Sequence, residues 1–449
     1  MSTSLALGPA SLQVPKHLRA PWANAVAKRV VLGLLKSWAR GQIAVVSGSG
    51  ADGSAARPLP TKAGTPQRAP NRHTPVTVTV RDDAAYQAVL LEGSSGLARS
   101  YALGWWDTDD LAGLMQVGAR CLPRPEAPAS RVASLAGRAR QLSGPAKQAR
   151  AASKQSQVMA HYDLGDDFFA SFLDPTMTYS CGIFEHPGAS MEEASLAKLS
   201  YACQKLGLQE GMHVLEIGSG WGSFAIFAAE KYRCKVTTAT LSPSQYAATK
   251  ARTASAGLAG LVTVLECDYK ELGGKYDKLV SIEMVEALGW RELDQFFAKC
   301  AKLLQPGGEM FLQAITIDDK AYEQAKKKQD FIKEIVFPGS HIPSVTALRR
   351  SAQRAGLSVA GCERIGPHYV KTLAAWRTKL LDNWGALTGR GYQNELLRLW
   401  DLYLAYCQAG FSVGRLDDVQ MVLVKSPGGL TKNNQGQRVR AIAKKNEVR

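Results

Sequence analysis

Val214 to Gly222 reads VLEIGSGWG. Val214, Leu215 and Ile217 form a short apolar run, expected as a buried strand, which enters a turn at Gly218, Gly220 and Gly222. Without Cβ atoms such a turn lets a ligand approach the backbone. In open α/β sheets ligands bind outside the carboxyl ends of the strands. The dinucleotide fingerprint wants its third glycine one place later, where Ser223 stands, so by itself the loop is also compatible with an ordinary tight turn. Outward from it, helix and strand patterns alternate. Helices are expected over Ala194–Leu206, Phe224–Tyr232, Ser242–Ala256 and Glu292–Leu304, with strands over Lys235–Thr240, Val262–Cys267, Tyr276–Ile282 and Gly308–Ile317. That alternation predicts a doubly wound α/β sheet.

The 449 residues suffice for two or three domains. An excess of 55 Lys+Arg over 39 Asp+Glu, net +16, points to an acidic partner such as an anionic membrane surface, nucleic acid or a polyanionic substrate. The eight cysteines show no CxxC or His-containing spacing, which argues for a reducing cytoplasm and against a zinc or disulfide framework. No apolar run approaches ~18 residues, so no transmembrane helix is expected. The opening MSTSLALGPASLQVPKH lacks the layout of a signal peptide.

From Trp22 to Arg40, Val26, Val30, Leu34 and Trp38 recur every four residues beside Lys28, Arg29, Lys36 and Arg40. This is a basic amphipathic helix, either packed on a core or lying on a membrane. Ile43–Val46 and Val76–Val80 read as strands of a hairpin around a disordered insertion, residues 47–75. Ala84–Leu91 and Asp109–Ala119 read as helices, and GWWD at 104–107 as an aromatic turn. Residues 127–162 carry six basic side chains and no acid, a solvated connector or an electrostatic membrane contact. The expected division is an N-terminal α+β domain over 1–126, a basic connector over 127–160, the α/β domain over 161–425 and a disordered basic tail over 426–449.

Polar groups end three successive strands: Glu216 beside the glycine turn, Thr240-Leu241-Ser242, and Asp268-Tyr269. No acid ends the second strand to grip a ribose hydroxyl, which argues against a nicotinamide enzyme. HYDLGDDFF (161–169), DPTMTYSCGIF (174–184), LEIGSGWG (215–222), TLSPSQ (240–245), FPGSHIPS (337–344) and GPHYVKTLAAW (366–376) follow in order. Together they closely resemble the cyclopropane-fatty-acyl-phospholipid synthase family over roughly 155–425, with GWWDTDDL (104–111) looser. EMVEALG (283–289) resembles a branch that includes tuberculostearate-type fatty acid methyltransferases and some mycolic acid cyclopropane synthases.

The resemblance implies a Rossmann-like S-adenosylmethionine-dependent methyltransferase domain with a smaller N-terminal α+β, lipid-associated domain. It implies that Tyr179 and Ser180 touch S-adenosylmethionine, that Gly218 and Gly220 hold its methionine part with Glu216 beside them, that Thr240, Leu241 and Gln245 line the adenosine, and that Asp268 and Tyr269 lie near the base. In the family a bicarbonate serves as proton acceptor. Its ligands correspond here to Cys181, Glu286, Gln313, Ile315 and Tyr369, with Ala287 and Gln313 standing where the family has histidines. Glu286 is expected as a direct base or as the orienter of a displaced one; Glu283 lies close to it if the segment is helical, where two carboxylates raise one pKa and leave a proton acceptor poised, and equally reads as a surface residue. Tyr162, Phe168, Tyr179, Trp290 and Tyr369 are available either to face a carbocation or simply to pack.

The implied partners are a membrane phospholipid with an unsaturated acyl chain, an anionic membrane surface and a separate reductase, with a homodimer as an open assembly state. The implied location is the cytoplasm, peripheral to the inner face of the membrane. The expected product is a methylene or methyl-branched acyl chain, and the alternative is a cyclopropane. A small-molecule methyltransferase and a non-catalytic lipid- or nucleic-acid-binding protein are the competing classes; no nucleic-acid-binding motif is present.

Overall fold

A computed structural model of the protein describes residues 21–39, 41–48, 75–121 and 164–426. By contact density the chain forms two units. One comprises residues 1–172, 327–338 and 370–415; the other comprises 173–326, 339–369 and 416–449. The chain thus interleaves, where the sequence suggested a linear order of domains. Most of the insertion expected over 47–75, the basic connector and nearly all of the tail lie outside the described residues.

In the first unit, β1 (Ile43–Ser47), β2 (Val76–Val80) and β3 (Trp106–Thr108) form a sheet in that order. The expected hairpin is not formed. β1 and β2 pair in parallel, from Ile43↔Val76 to Ser47↔Val80, and β2 pairs antiparallel with β3. Period-two alternation identifies a strand without fixing its direction, and the GWWD segment supplies the antiparallel partner instead of a plain turn. A helix over Ser94–Ala102 follows the expected one at Ala84–Glu92.

The long helix Asn394–Ser412 is buried along most of its length. Its Trp400 ring packs against Phe168, Phe169 and Phe172 at centroid distances of 5.0 to 5.8 Å. The same helix buries Arg398, whose guanidinium lies 4.1 Å over the Tyr101 ring and donates to Asp107 Oδ1 at 2.6 Å and Trp106 O at 3.1 Å. Asp401, one turn on, accepts from Tyr101 Oη at 2.9 Å and Arg377 Nε at 2.6 Å. Buried charges persist only when paired in this way.

The second unit is built on a seven-stranded sheet in the order β6-β5-β4-β7-β8-β10-β9. Its strands are β4 (His213–Ile217), β5 (Lys235–Thr240), β6 (Val262–Glu266), β7 (Tyr276–Ile282), β8 (Leu304–Ile317), β9 (Leu357–Arg364) and β10 (Leu416–Lys425). β6 through β8 are parallel neighbours, whereas β10 runs antiparallel to both β8 and β9. Alternate residues divide between two apolar clusters. Leu215, Leu279, Met310, Leu312 and Met421 join Phe296 and Phe297 in one, while Val214, Val280 and Phe311 join Phe224 and Ala228 in the other. The helix Met191–Leu206 starts with a capping box, Ser190 with Glu193, and ends at a left-handed Gly207.

Arg398→Leu is expected to destabilise the protein by about 1–3 kcal/mol, since Tyr101 O and Trp106 O lose their buried donor and Asp107 keeps only its more exposed partner Arg81. Chemical denaturation of the two proteins measures the difference, and an unchanged midpoint would contradict the role given to the ion pair.

Candidate active site

The glycine turn follows β4 at the carboxyl edge of the sheet. Two of its glycines are required for different reasons. Gly222 has φ 85° and a Cβ there would lie 2.8 Å from Thr249 Cγ2, so it allows the turn to close against the helix Pro243–Ser255. Gly220 has φ 50°, yet a Cβ there would meet no atom within 4 Å: it borders open space. That space is where a ligand can lie against the backbone.

The other expected cofactor residues gather at neighbouring strand ends. Thr240 Oγ1 donates to Gln245 Oε1 at 2.9 Å and accepts from Ser242 N at 3.1 Å, which fixes the end of β5, with Leu241 half-buried between them. Asp268 is half-buried beyond β6 and accepts from Lys270 N at 2.9 Å. Tyr269 instead belongs to the apolar core, edge-on to Phe296 at 5.4 Å, with its hydroxyl buried and unpartnered. Tyr179 is half-buried and precedes buried Ser180, whose Oγ accepts from Lys198 Nζ at 2.8 Å.

One face of the sheet carries a band of polar side chains. Glu216 accepts from Thr238 Oγ1 at 2.6 Å across the β4–β5 register. Gln313 of β8 is fully buried; its Oε1 accepts from Gln420 Nε2 at 3.0 Å, and its Nε2 faces Asp418 Oδ2 at 3.0 Å and Glu283 Oε1 at 2.8 Å. Glu283 is the point of convergence. Its Oε1 also accepts from Cys181 N at 2.8 Å, and its Oε2 from Tyr369 Oη at 2.6 Å. Three residues expected to hold a bicarbonate therefore direct their donors at the Glu283 carboxyl group. The segment is not helical at this point: Glu283 has φ 48°, the left-handed region that side-chain-bearing residues rarely adopt.

Glu286 lies in the short 3₁₀ turn Val285–Ala287 and is held separately. Its Oε1 accepts from Ile315 N at 2.6 Å, while Oε2 is shielded from solvent and has no hydrogen-bond partner. Burial, then the charge of Glu283, pushes the Glu286 carboxyl up to about 8. Burial likewise raises Glu216 to about 8, opposed by Thr238 and by Lys198. Asp418 is pushed well above the usual carboxylate range by burial and by Glu283 and Glu286. Lys198, 1% exposed, provides the buried cation of this region. Burial draws its ammonium down, against the pull of Glu283, Cys181, Asp174 and Asp418.

Of the aromatic residues offered as cation faces, Tyr162 lies outside the described residues and Phe168 is part of the first unit's core. Trp290 already stacks with Arg291 at 4.3 Å and Lys326 at 4.9 Å. Tyr369 is engaged with Glu283, which leaves Tyr179 as the aromatic side chain beside Ser180. Lys198 and Asp418 were not singled out in the sequence. A lysine among the apolar positions of the helix Met191–Leu206 was the available signal for the first; nothing local marked the second.

Gly220→Asn keeps a residue tolerant of left-handed φ and fills only the open space. It is expected to lower S-adenosylhomocysteine affinity at least about tenfold with an unchanged Tm, measured by titration calorimetry and thermal unfolding. Glu216 and Glu286 retain protons in the folded chain up to about 8, which the unfolded chain releases near 4.5. Their contribution to stability is thus full below about pH 4.5 and lost as pH rises through about 8. Glu286→Gln should accordingly flatten the fall in Tm over that window, and an identical slope in both proteins would refute the assignment.

The geometry can be set against known proteins. The family described as mycolic acid cyclopropane synthetase matches residues 149–421. Tuberculostearic acid methyltransferase UfaA1 of Mycobacterium tuberculosis is 33% identical over 370 residues, covering 81% of this chain and 86% of that protein. Cyclopropane-fatty-acyl-phospholipid synthase of Escherichia coli is 31% identical over 357 residues, 78% of this chain and 87% of its own. Among solved structures, mycolic acid cyclopropane synthase CmaA1 complexed with SAH and CTAB is 34% identical with a TM-score of 0.57, over 60% of this chain and 98% of that one. The match over more than half of the chain, together with a relative aligned across four-fifths of it, shows that this protein belongs to the mycolic acid cyclopropane synthetase family.

Proposed function

We propose that the protein is an S-adenosylmethionine-dependent enzyme that transfers one carbon to the double bond of an unsaturated acyl chain in a membrane phospholipid. In this reading it leaves a methylene branch, and the Glu283 carboxyl group stands in place of a bicarbonate. The observation that carries it is the convergence of Cys181 N, Gln313 Nε2 and Tyr369 Oη on Glu283. With those donors engaged, the residues do not fit a separate bicarbonate. The 33% identity to a tuberculostearic acid methyltransferase over 81% of the chain supports the branch of chemistry. The open cradle at Gly220 and the fixed Thr240–Gln245 pair fit the cofactor.

Bound S-adenosylmethionine supplies an electrophilic methyl group. The alkene π pair bonds to that carbon as its bond to sulfur breaks, and the sulfur keeps the pair. The task of the protein is to align the alkene behind the methyl in a water-excluded site. The positive charge on the acyl chain moves to the methyl-bearing carbon by a hydride shift. A proton then leaves the added carbon for Glu283, giving a terminal =CH₂. Loss of the proton before the shift would instead close a cyclopropane. Glu286, held by Ile315 N and protonated to about pH 8, positions the turn and is a poor acceptor at neutral pH. A separate reductase would saturate the methylene, and peripheral contact with an anionic membrane surface would provide access to the substrate.

Expression in oleate-fed cells without a reductase should give acyl chains heavier by one carbon, carried as a =CH₂ branch on an unlengthened chain. A cyclopropane as sole product overturns the product assignment. Glu283→Gln is expected to lower the rate at least about 100-fold with S-adenosylhomocysteine binding retained. Glu283→Gly suits the left-handed backbone and vacates the carboxyl space, so added bicarbonate should restore activity to it while leaving the unsubstituted enzyme unaffected.

A further inference from the structure

Among the described residues, seven of the ten exposed large apolar side chains lie between Trp22 and Leu91. Four of them, Trp22 (75% exposed), Val26 (57%), Val30 (41%) and Leu34 (37%), recur every fourth residue along the helix Pro21–Ala39. The opposite side of this helix is already used. Ala39 is buried there and Lys28 reaches Asp83 Oδ1 at 3.1 Å, while the buried Ala27 lies just past Leu34 and closes the strip on that edge.

At ~100° per residue the four exposed side chains sweep an arc of about 120° and span ~18 Å of helix. Arg29 and Lys36, both exposed, fall within about 40° of Trp22 on the other edge of the same arc. The helix contains no acidic residue. Its outward face is therefore an apolar strip bordered on one side by cations, in a protein of net charge +16.

We infer that this face is the surface by which the protein seats itself on a bilayer containing anionic lipid. The apolar strip would enter the boundary between headgroups and acyl chains, and Arg29 and Lys36 would lie at headgroup level. The choice of occupant rests on the phospholipid reading above. It also rests on charge: a second copy of the same strip would bring like cations together, whereas an anionic surface complements them. Interfacial helices combine these two terms, burial of apolar area and attraction to anionic lipid. Neither requires the helix to cross the membrane.

The test uses the full-length protein and oleoyl vesicles, either phosphatidylcholine alone or mixed with phosphatidylglycerol. Val26→Asp/Val30→Asp, at exposed positions, is expected to keep the Tm and S-adenosylhomocysteine affinity but to lower vesicle partitioning at least about tenfold. Arg29→Glu/Lys36→Glu should lower binding to the mixed vesicles only, with a loss that shrinks as salt rises. Product formation on vesicles should fall with partitioning in the valine variant, while turnover of detergent-dispersed substrate stays unchanged. Flotation of that variant equal to the unsubstituted protein overturns the inference. So does a change from dimer to monomer in sedimentation with vesicle binding intact, which assigns the strip to a second copy. Normal flotation of the unsubstituted protein without any product faults the proposed chemistry and leaves the docking face standing.

Discussion

The second unit is organised around a half-buried carboxyl group on which donors from three segments converge. A buried polar group is tolerated only when its hydrogen bonds are made. Glu283 meets this condition with a backbone amide from Cys181, a side-chain amide from Gln313 and a phenol from Tyr369. These lie in three segments far apart in sequence, so the group forms only once the sheet, the loop before the helix Met191–Leu206 and the helix Gly366–Asp382 are in place. The left-handed backbone at Glu283 is the local strain that aims the side chain at them. Gln313 cannot swing away, because Gln420 and Asp418 of β10 hold it from the neighbouring strand.

The sheet separates two tasks by its pleat. Leu215, Leu279, Met310 and Leu312 point to a largely apolar face that packs on Phe296 and Phe297. The alternating set includes Glu216, Gln313, Asp418 and Gln420, a polar band embedded in an otherwise apolar layer. Such a band is less stabilising than hydrocarbon of the same volume. It fixes charge and hydrogen-bond direction beside a crevice from which water must be kept. Lys198 contributes the opposite charge from the helix on that side and holds Ser180, so Ser180 and the acid cluster share one cation.

The first unit has a different polar arrangement. Arg398, Asp107, Asp401 and Arg377 form interior pairs around Tyr101 and join the helix Asn394–Ser412 to segments nearly 300 residues earlier. Its exposed apolar side chains gather toward the start of the chain, along the helix Pro21–Ala39. A protein acting on acyl chains has use for both features: a firm core, and a face suited to the boundary where those chains reside.

The strands and helices around VLEIGSGWG were legible because glycine turns, β-branched runs and capping residues act locally. The Ser190–Glu193 box and Gly207 delimit their helix from within it. The ordered motifs likewise identified the family. Strand direction in the first unit was not legible, because alternation at β1 and β2 is the same in parallel and antiparallel pairs. Nor was the place of Glu283. From sequence it stands three residues before Glu286 and reads as its helical neighbour or as a surface acid. The left-handed turn instead parts the two, giving Glu283 the donors of Cys181, Gln313 and Tyr369 and leaving Glu286 with Ile315 N. Asp418 gave no local sign at all, since its raised proton affinity comes from burial and from carboxylates more than 100 residues away. The sequence determined which residues were available; the packing of β10 against β8, of the loop carrying Cys181 and of the helix start carrying Tyr369 decided which of them met.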